Sequence, residues 1–132
     1  MGALVIGQKG TFSKTITEHD VYSFAGITGD FNSVHVNRVA AEQSMFGGQI
    51  AHGMLTASFI STVLGMYMPG PGTIYLSQNI KFLKPVFIGD TVSAQVEIVD
   101  MKGDRVLLAT EVYNQKDEKV ISGEAWVLYP GE

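Results

Sequence analysis

The sequence predicts an α+β fold in which an antiparallel sheet of about five strands wraps around one long helix. Three observations carry that prediction. Between Glu42 and Lys81 there is no Asp, Glu, Lys or Arg, so this stretch is expected to be buried. Inside it, Leu55, Phe59, Val63 and Met66 recur at helical spacing. After Pro69-Gly70-Pro71-Gly72 the apolar period changes to two, the signature of strands with one buried face.

The elements follow in order. GTFSKTIT has the composition of an edge strand. Thr17, with Asp20 three residues later, has the form of a capping box and opens a helix through Val21, Phe24, Ala25 and Thr28. Gly29 is placed to end that helix. Asp30 to His35 then reads as a loop just past the helix terminus. Asn37 caps a short helix, RVAAEQSM, leading to Gly47-Gly48. The central helix runs from near Gly53 to near Met68. Its small residues Ala57, Ser58, Ser61 and Gly65 let that side approach a neighbouring backbone closely. A membrane span is excluded, because Thr56, Ser58, Ser61 and Thr62 interrupt an apolar run already shorter than the roughly 20 residues a bilayer needs.

In TIYLSQNIKFLK, Ile74, Leu76, Ile80 and Phe82 share one face, with Gln78 as the exception. In TVSAQVEIV, Val92, Ala94, Val96 and Ile98 alternate with Ser93, Gln95 and Glu97. DRVLLATEVYNQ and KVISGEAWVLYP complete a meander. Its turns are signalled by Lys84-Pro85, Gly89-Asp90, Lys102-Gly103-Asp104 and Lys116-Asp117-Glu118. No repeat, low-complexity tract or linker divides the chain, so residues 1–132 are read as a single domain. A sheet of this size around one uncharged helix is the hot-dog architecture. One copy leaves a sheet edge open, so a homodimer with a continuous sheet is expected.

Composition removes several function classes. A formal charge of −4 with scattered lysines and arginines leaves no basic stripe for nucleic acid or an anionic membrane. Without cysteine there is no disulfide, thiolate nucleophile or sulfur-ligated zinc. MGALVIGQKG lacks the form of a signal peptide, and Ile6 stands where a myristoylation site at Gly2 wants Ser or Thr, so a cytoplasmic protein is expected. There is no G-x-S-x-G elbow, Walker loop or dinucleotide fingerprint.

GDFNSVHVN, residues 29–37, is where chemistry concentrates. Asp30 and Asn32 can simply cap a turn. The adjoining helix end, however, holds the segment on fixed backbone, and a carboxylate near an imidazole orients one tautomer and activates water. His52 reads as a structural hydrogen-bonder with no catalytic role, and His19 as a surface residue. Three histidines so widely separated make no metal site, and neither metal nor cofactor is expected.

FAGITGDFNSVHVN, then GGQIAHGMLTASFISTVLG, then PGTIYLSQNIKFLKPVFIGDTVSAQVEI resemble the MaoC-like (R)-specific enoyl-CoA hydratases. The likeness runs from about Val21 to Pro130. The family's motif, approximately G-D-x-N-P-x-H-x-D, is matched at Gly29, Asp30, Asn32 and His35. Ser33 replaces the usual proline and Asn37 the usual aspartate. The second motif, I-A-H-G-M at residues 50–54, also matches.

The resemblance implies hydration of a trans-2-enoyl-CoA, of the kind that supplies polyhydroxyalkanoate precursors. Asp30 would be the general base, and His35 would orient the water and relay its proton. Asn32, Gly53 and Ser61 are read as substrate contacts: the Gly53 N–H at the helix start polarises the thioester carbonyl, and Ser61 borders the acyl tunnel with Leu64 and the Met66–Met68 region. Lys81, Lys84, Lys102 and Arg105 are candidates for the phosphates of the acyl carrier. Hot-dog thioesterases and fatty-acid-synthesis dehydratases generally carry an acidic residue on the central helix, and this helix has none. The alternatives are a dehydratase of 3-hydroxyacyl groups on acyl carrier protein, using the same chemistry in reverse, and a non-catalytic acyl-thioester-binding subunit.

Overall fold

Local signals set the helices. The structure, a computed structural model, describes residues 3–130; Met1 and Gly2, the first two residues of the segment read against a signal peptide and myristoylation, lie outside them. Thr17 caps α1 (Glu18–Thr28) with the expected capping box: its hydroxyl accepts from the Asp20 N–H, and the Asp20 carboxylate accepts from the Thr17 N–H. Gly29 closes α1 in the left-handed region at φ 83, a conformation that costs glycine nothing. The next segment differs from the expected loop. Asn32 accepts from the Val34 N–H and starts a single helical turn, α2 (Ser33–Val36). Asn37 then caps α3 (Arg38–Glu42), as its position predicts.

The central helix, α4, covers Gly53–Met66, and its stripe Leu55, Phe59, Ile60, Val63 and Leu64 is buried. Five antiparallel strands, β1 (Lys9–Thr15), β2 (Ile74–Phe82), β3 (Thr91–Lys102), β4 (Arg105–Tyr113) and β5 (Lys119–Leu128), form one sheet in the order β1-β3-β4-β5-β2. The alternation on β3 is as expected: Val92, Ala94, Val96 and Ile98 point into the core. On β4 the inward row is Val106, Leu108, Thr110 and Val112. α4 lies across this inner face, packed on β1, β2, β3 and β4. This is the hot-dog arrangement that the periods predict.

Two expectations for the uncharged stretch need correction. The face assigned to β2 holds only beyond the bulge, where Ile80 and Phe82 lie on the α4 side together with Gln78; the register on β5 shifts between Tyr75 and Ser77 and re-phases the strand around Leu76. Ile74, Leu76 and Phe82 are exposed, while Gln78 and Ile80 turn partly inward. Nor is the stretch buried throughout: Met54, Met66 and Tyr67 join β2 in exposing large apolar side chains. The outer side of α4, with Ser58, Ser61 and Gly65, is equally open.

Candidate active site

The site forms where α1 hands over to α2, against the start of α4. Gly29 N–H donates to Ala25 O at 2.8 Å, so the chain leaves α1 abruptly and Asp30 emerges at a fixed point. Asp30 Oδ1 accepts from the Asn32 N–H at 3.2 Å, an Asx turn that leads into the Asn32 cap. His35, on the turn that follows, is 8% exposed and points back into the protein.

A short extended piece from Gln49 to Ala51 braces that turn. Ile50 N–H donates to Val34 O at 3.1 Å, and Gln49 Nε2–H donates to His35 O at 2.8 Å. The piece is itself pinned to the chain before β3, where Ala51 N–H donates to Val86 O at 2.7 Å. Ile50 O accepts from His35 Nδ1 at 2.8 Å. A carbonyl can only accept, so Nδ1 carries the hydrogen, and neutral His35 leaves Nε2 bare as an acceptor.

His52 lies against this pair. It is 2% exposed, and its ring stacks on His35 with centroids 3.9 Å apart and planes at 25°. Its Nε2–H donates to the Asp30 carbonyl at 2.9 Å, and Phe24 covers it at 4.9 Å. The sequence reading gave His52 a structural hydrogen bond and no catalytic role, and treated the histidines as scattered. Folding brings two of the three together with Asp30, one ligand-capable atom from each lying within 4.8 Å of the others. Such a cluster raises the question of a metal. Imidazole lone pairs lie in the ring plane, and two rings stacked nearly parallel send them side by side rather than to one point. One nitrogen of each ring is already committed to a carbonyl. The set fits hydrogen bonding to water or substrate better than it fits a cation.

Asp30, His35, His52 and Gly53 line one cleft of about 580 Å³, with Phe24 and Phe82 among its apolar walls. Backbone N–H groups at the start of α4 have no partner within the helix, and the first intrahelical acceptor, His52 O, takes the N–H groups of Leu55 and Thr56. The missing side chain at Gly53 has a different use from the expected open approach. A Cβ there would lie 2.6 Å from the Phe82 ring, so the glycine makes room for that ring. Of the other expected contacts, Asn32 holds the turn, and Ser61 is exposed on the outer side of α4; neither lines the cleft. Among the four candidate cations only Lys84 reaches the cleft, and Glu118 pairs with it at 2.6 Å. Thr56, buried on the cleft wall, was also not singled out from sequence. His52 and Thr56 share a side of α4 by their four-residue spacing, the one sequence signal that links them.

The family model for the MaoC like domain matches residues 4–120. This chain belongs to the MaoC-like domain family. The (R)-specific enoyl-CoA hydratase of Rhodospirillum rubrum is 46% identical to this MaoC-like chain over 125 residues, 94% of it and 87% of the relative. The solved (R)-hydratase from A. caviae superposes with a TM-score of 0.95 at 38% identity, covering 98% of the MaoC-like chain and all of the other. The mitochondrial 3-hydroxyacyl-[acyl-carrier-protein] dehydratase of Arabidopsis thaliana is more distant, at 27% identity over 89% of the chain and 73% of the relative. Among the described residues no helix is long and apolar enough to cross a membrane.

Proposed function

We propose that this MaoC-like protein is an (R)-specific enoyl-CoA hydratase that adds water reversibly, on one face, to a trans-2-enoyl-CoA and yields the (R)-3-hydroxyacyl-CoA. The observation that carries the reading is the convergence of Asp30, His35 and the N-terminus of α4 on one apolar cleft. Base, water-orienting imidazole and oxyanion donors are what the reaction needs.

Asp30 takes a proton from the water as its oxygen bonds to C3. The C2–C3 π pair moves into the thioester, and the carbonyl oxygen becomes an enolate oxygen facing the Gly53 N–H. His35, with Nδ1–H held on Ile50 O, orients the water by accepting its second hydrogen in a hydrogen bond at Nε2; once the hydroxyl is on C3, the proton that Asp30 took passes to His35 Nε2 and from there to C2, so both side chains end as they began. The enolate collapses, and water has been added with no net change at the protein. The aromatic walls exclude bulk water from the enolate.

The reading includes a homodimer joined edge to edge through β2, supported by the apolar side chains exposed there and by the open side of α4. Ser61, on that open side, belongs to the substrate site only if a second copy carries it to a cleft. Coenzyme A as carrier is supported by 46% identity to an enoyl-CoA hydratase against 27% to a carrier-protein dehydratase. A cytoplasmic setting is part of the same proposal. Mixing crotonyl-CoA with the purified protein tests it. Loss of absorbance at the enoyl-thioester band with (R)-3-hydroxybutyryl-CoA as product is expected. No turnover at any chain length, with turnover of the carrier-protein thioester instead, would move the assignment to the dehydratase.

A further inference from the structure

We infer that His52 is the positioning residue of this site, fixing Asp30 and His35 relative to each other; the role rests on the hydratase reading of the cleft. Asp30 and His35 are joined to the rest of the fold by different means. Asp30 lies on an exposed connection between two helices, held by bonds to near neighbours: its N–H donates to Thr28 Oγ1 at 3.2 Å, and its carboxylate accepts from the Asn32 N–H. His35 is held at one nitrogen by Ile50 O, a bond about which an imidazole can still swing. Asn32 joins their backbones in one turn, since its N–H donates to the Asp30 carboxylate and its carbonyl accepts from the His35 N–H at 2.9 Å, but these bonds leave the direction of the His35 ring unset.

His52 sets that direction with one side chain that also holds Asp30. Its Nε2–H reaches across 22 residues of sequence to the Asp30 carbonyl at 2.9 Å, tying that connection to the start of α4. Its ring face, 3.9 Å from the His35 ring, closes one side of the arc through which His35 would swing. His52 is in turn wedged by Phe24 and lies at the N-cap of the longest helix. Among the described residues His52 Nδ1 has no hydrogen-bond partner, so the side chain's polar contact is the one made by Nε2–H. Glutamine places an amide N–H at nearly the same reach, which makes it the conservative replacement.

The test compares His52→Ala and His52→Gln with wild type in crotonyl-CoA hydration, alongside long-range 1H–15N spectra of the imidazoles. In His52→Ala, kcat is expected to fall on the order of 100-fold, the usual cost of misplacing a catalytic group by about 1 Å. KM should stay within about threefold, since the cleft walls remain. His52→Gln should recover about tenfold of the lost kcat by restoring the tether. The His35 Nδ1–H resonance, sharp in wild type, should broaden in His52→Ala. The inference is overturned if His52→Ala keeps kcat, if His52→Gln is no better than His52→Ala in a folded protein, or if the His35 resonance is indifferent to position 52. A wild-type protein inactive on enoyl-CoA of every chain length would refute the hydratase reading. The spectra alone would then decide whether His52 fixes His35.

Discussion

At the scale of residues, the pair can be removed without dismantling its surroundings. Asp30→Asn keeps an Oδ1 able to accept from the Asn32 N–H, so the Asx turn survives while the base is lost. His35→Asn keeps a donor for Ile50 O and removes Nε2. Steady-state kinetics should show each variant slower by about 100- to 10,000-fold, with circular dichroism unchanged. Ser33 gives a prediction of opposite sign. It occupies the first position of α2, where proline's fixed φ suits the helix, and Asn32 at φ −53 and ψ 134 already has the extended backbone that a following proline demands. Ser33→Pro should raise unfolding free energy by about 0.4–1 kcal/mol in urea titration, without loss of activity. Asp30 and His35 were legible in the sequence because their spacing is local and Gly29 announces the helix end beside them. His52 was not, because burial, the stack on His35 and the bond to Asp30 are made only when distant segments meet.

At the scale of elements, capping residues and the period of apolar positions located all four helices or their start signals, α2 excepted, and all five strands. The re-phasing of β2 escaped, since a bulge is settled by the partner strand rather than by the strand's own pattern. Between β4 and β5 lies an ion pair with a pH signature. Lys119 beside Glu111 holds that carboxyl below its ordinary range, and the Tyr113 hydroxyl, which donates to it at 2.8 Å, adds to the effect. A carboxyl lowered in the folded state stabilises above its unfolded pKa, and the contribution disappears as pH falls through the folded one. With both groups partly exposed, solvent screening keeps the contribution small. Glu111→Gln should therefore be slightly less stable than wild type at neutral pH, and the difference should shrink as pH falls below the ordinary carboxylate range, in urea melts across that pH series.

At the scale of the whole molecule, the charge gap from residue 43 to 80 correctly marked the centre of the fold. It overstated burial within one chain, where Met54, Met66, Tyr67, Ile74 and Leu76 are exposed; the proposed homodimer would cover part of that surface. The α4 side carrying Gly65 tests this. Nothing lies within 4 Å of a Cβ built there, so an isolated chain tolerates a large side chain, whereas a second copy packed on this side does not. Gly65→Arg should convert a dimer to a monomer in sedimentation analysis while the far-ultraviolet spectrum is retained. The uncharged edge also has a kinetic consequence. Natural sheets guard an open edge with lysine, proline, an inward charge or a bulge, and β2 has only the bulge around Leu76 and Lys81 near its far end, with no charge from Ile74 to Ile80. If the proposed homodimer forms through this edge, a newly made copy carries an open template until its mate covers it, so a slow pairing step at high concentration exposes the protein to uncontrolled association.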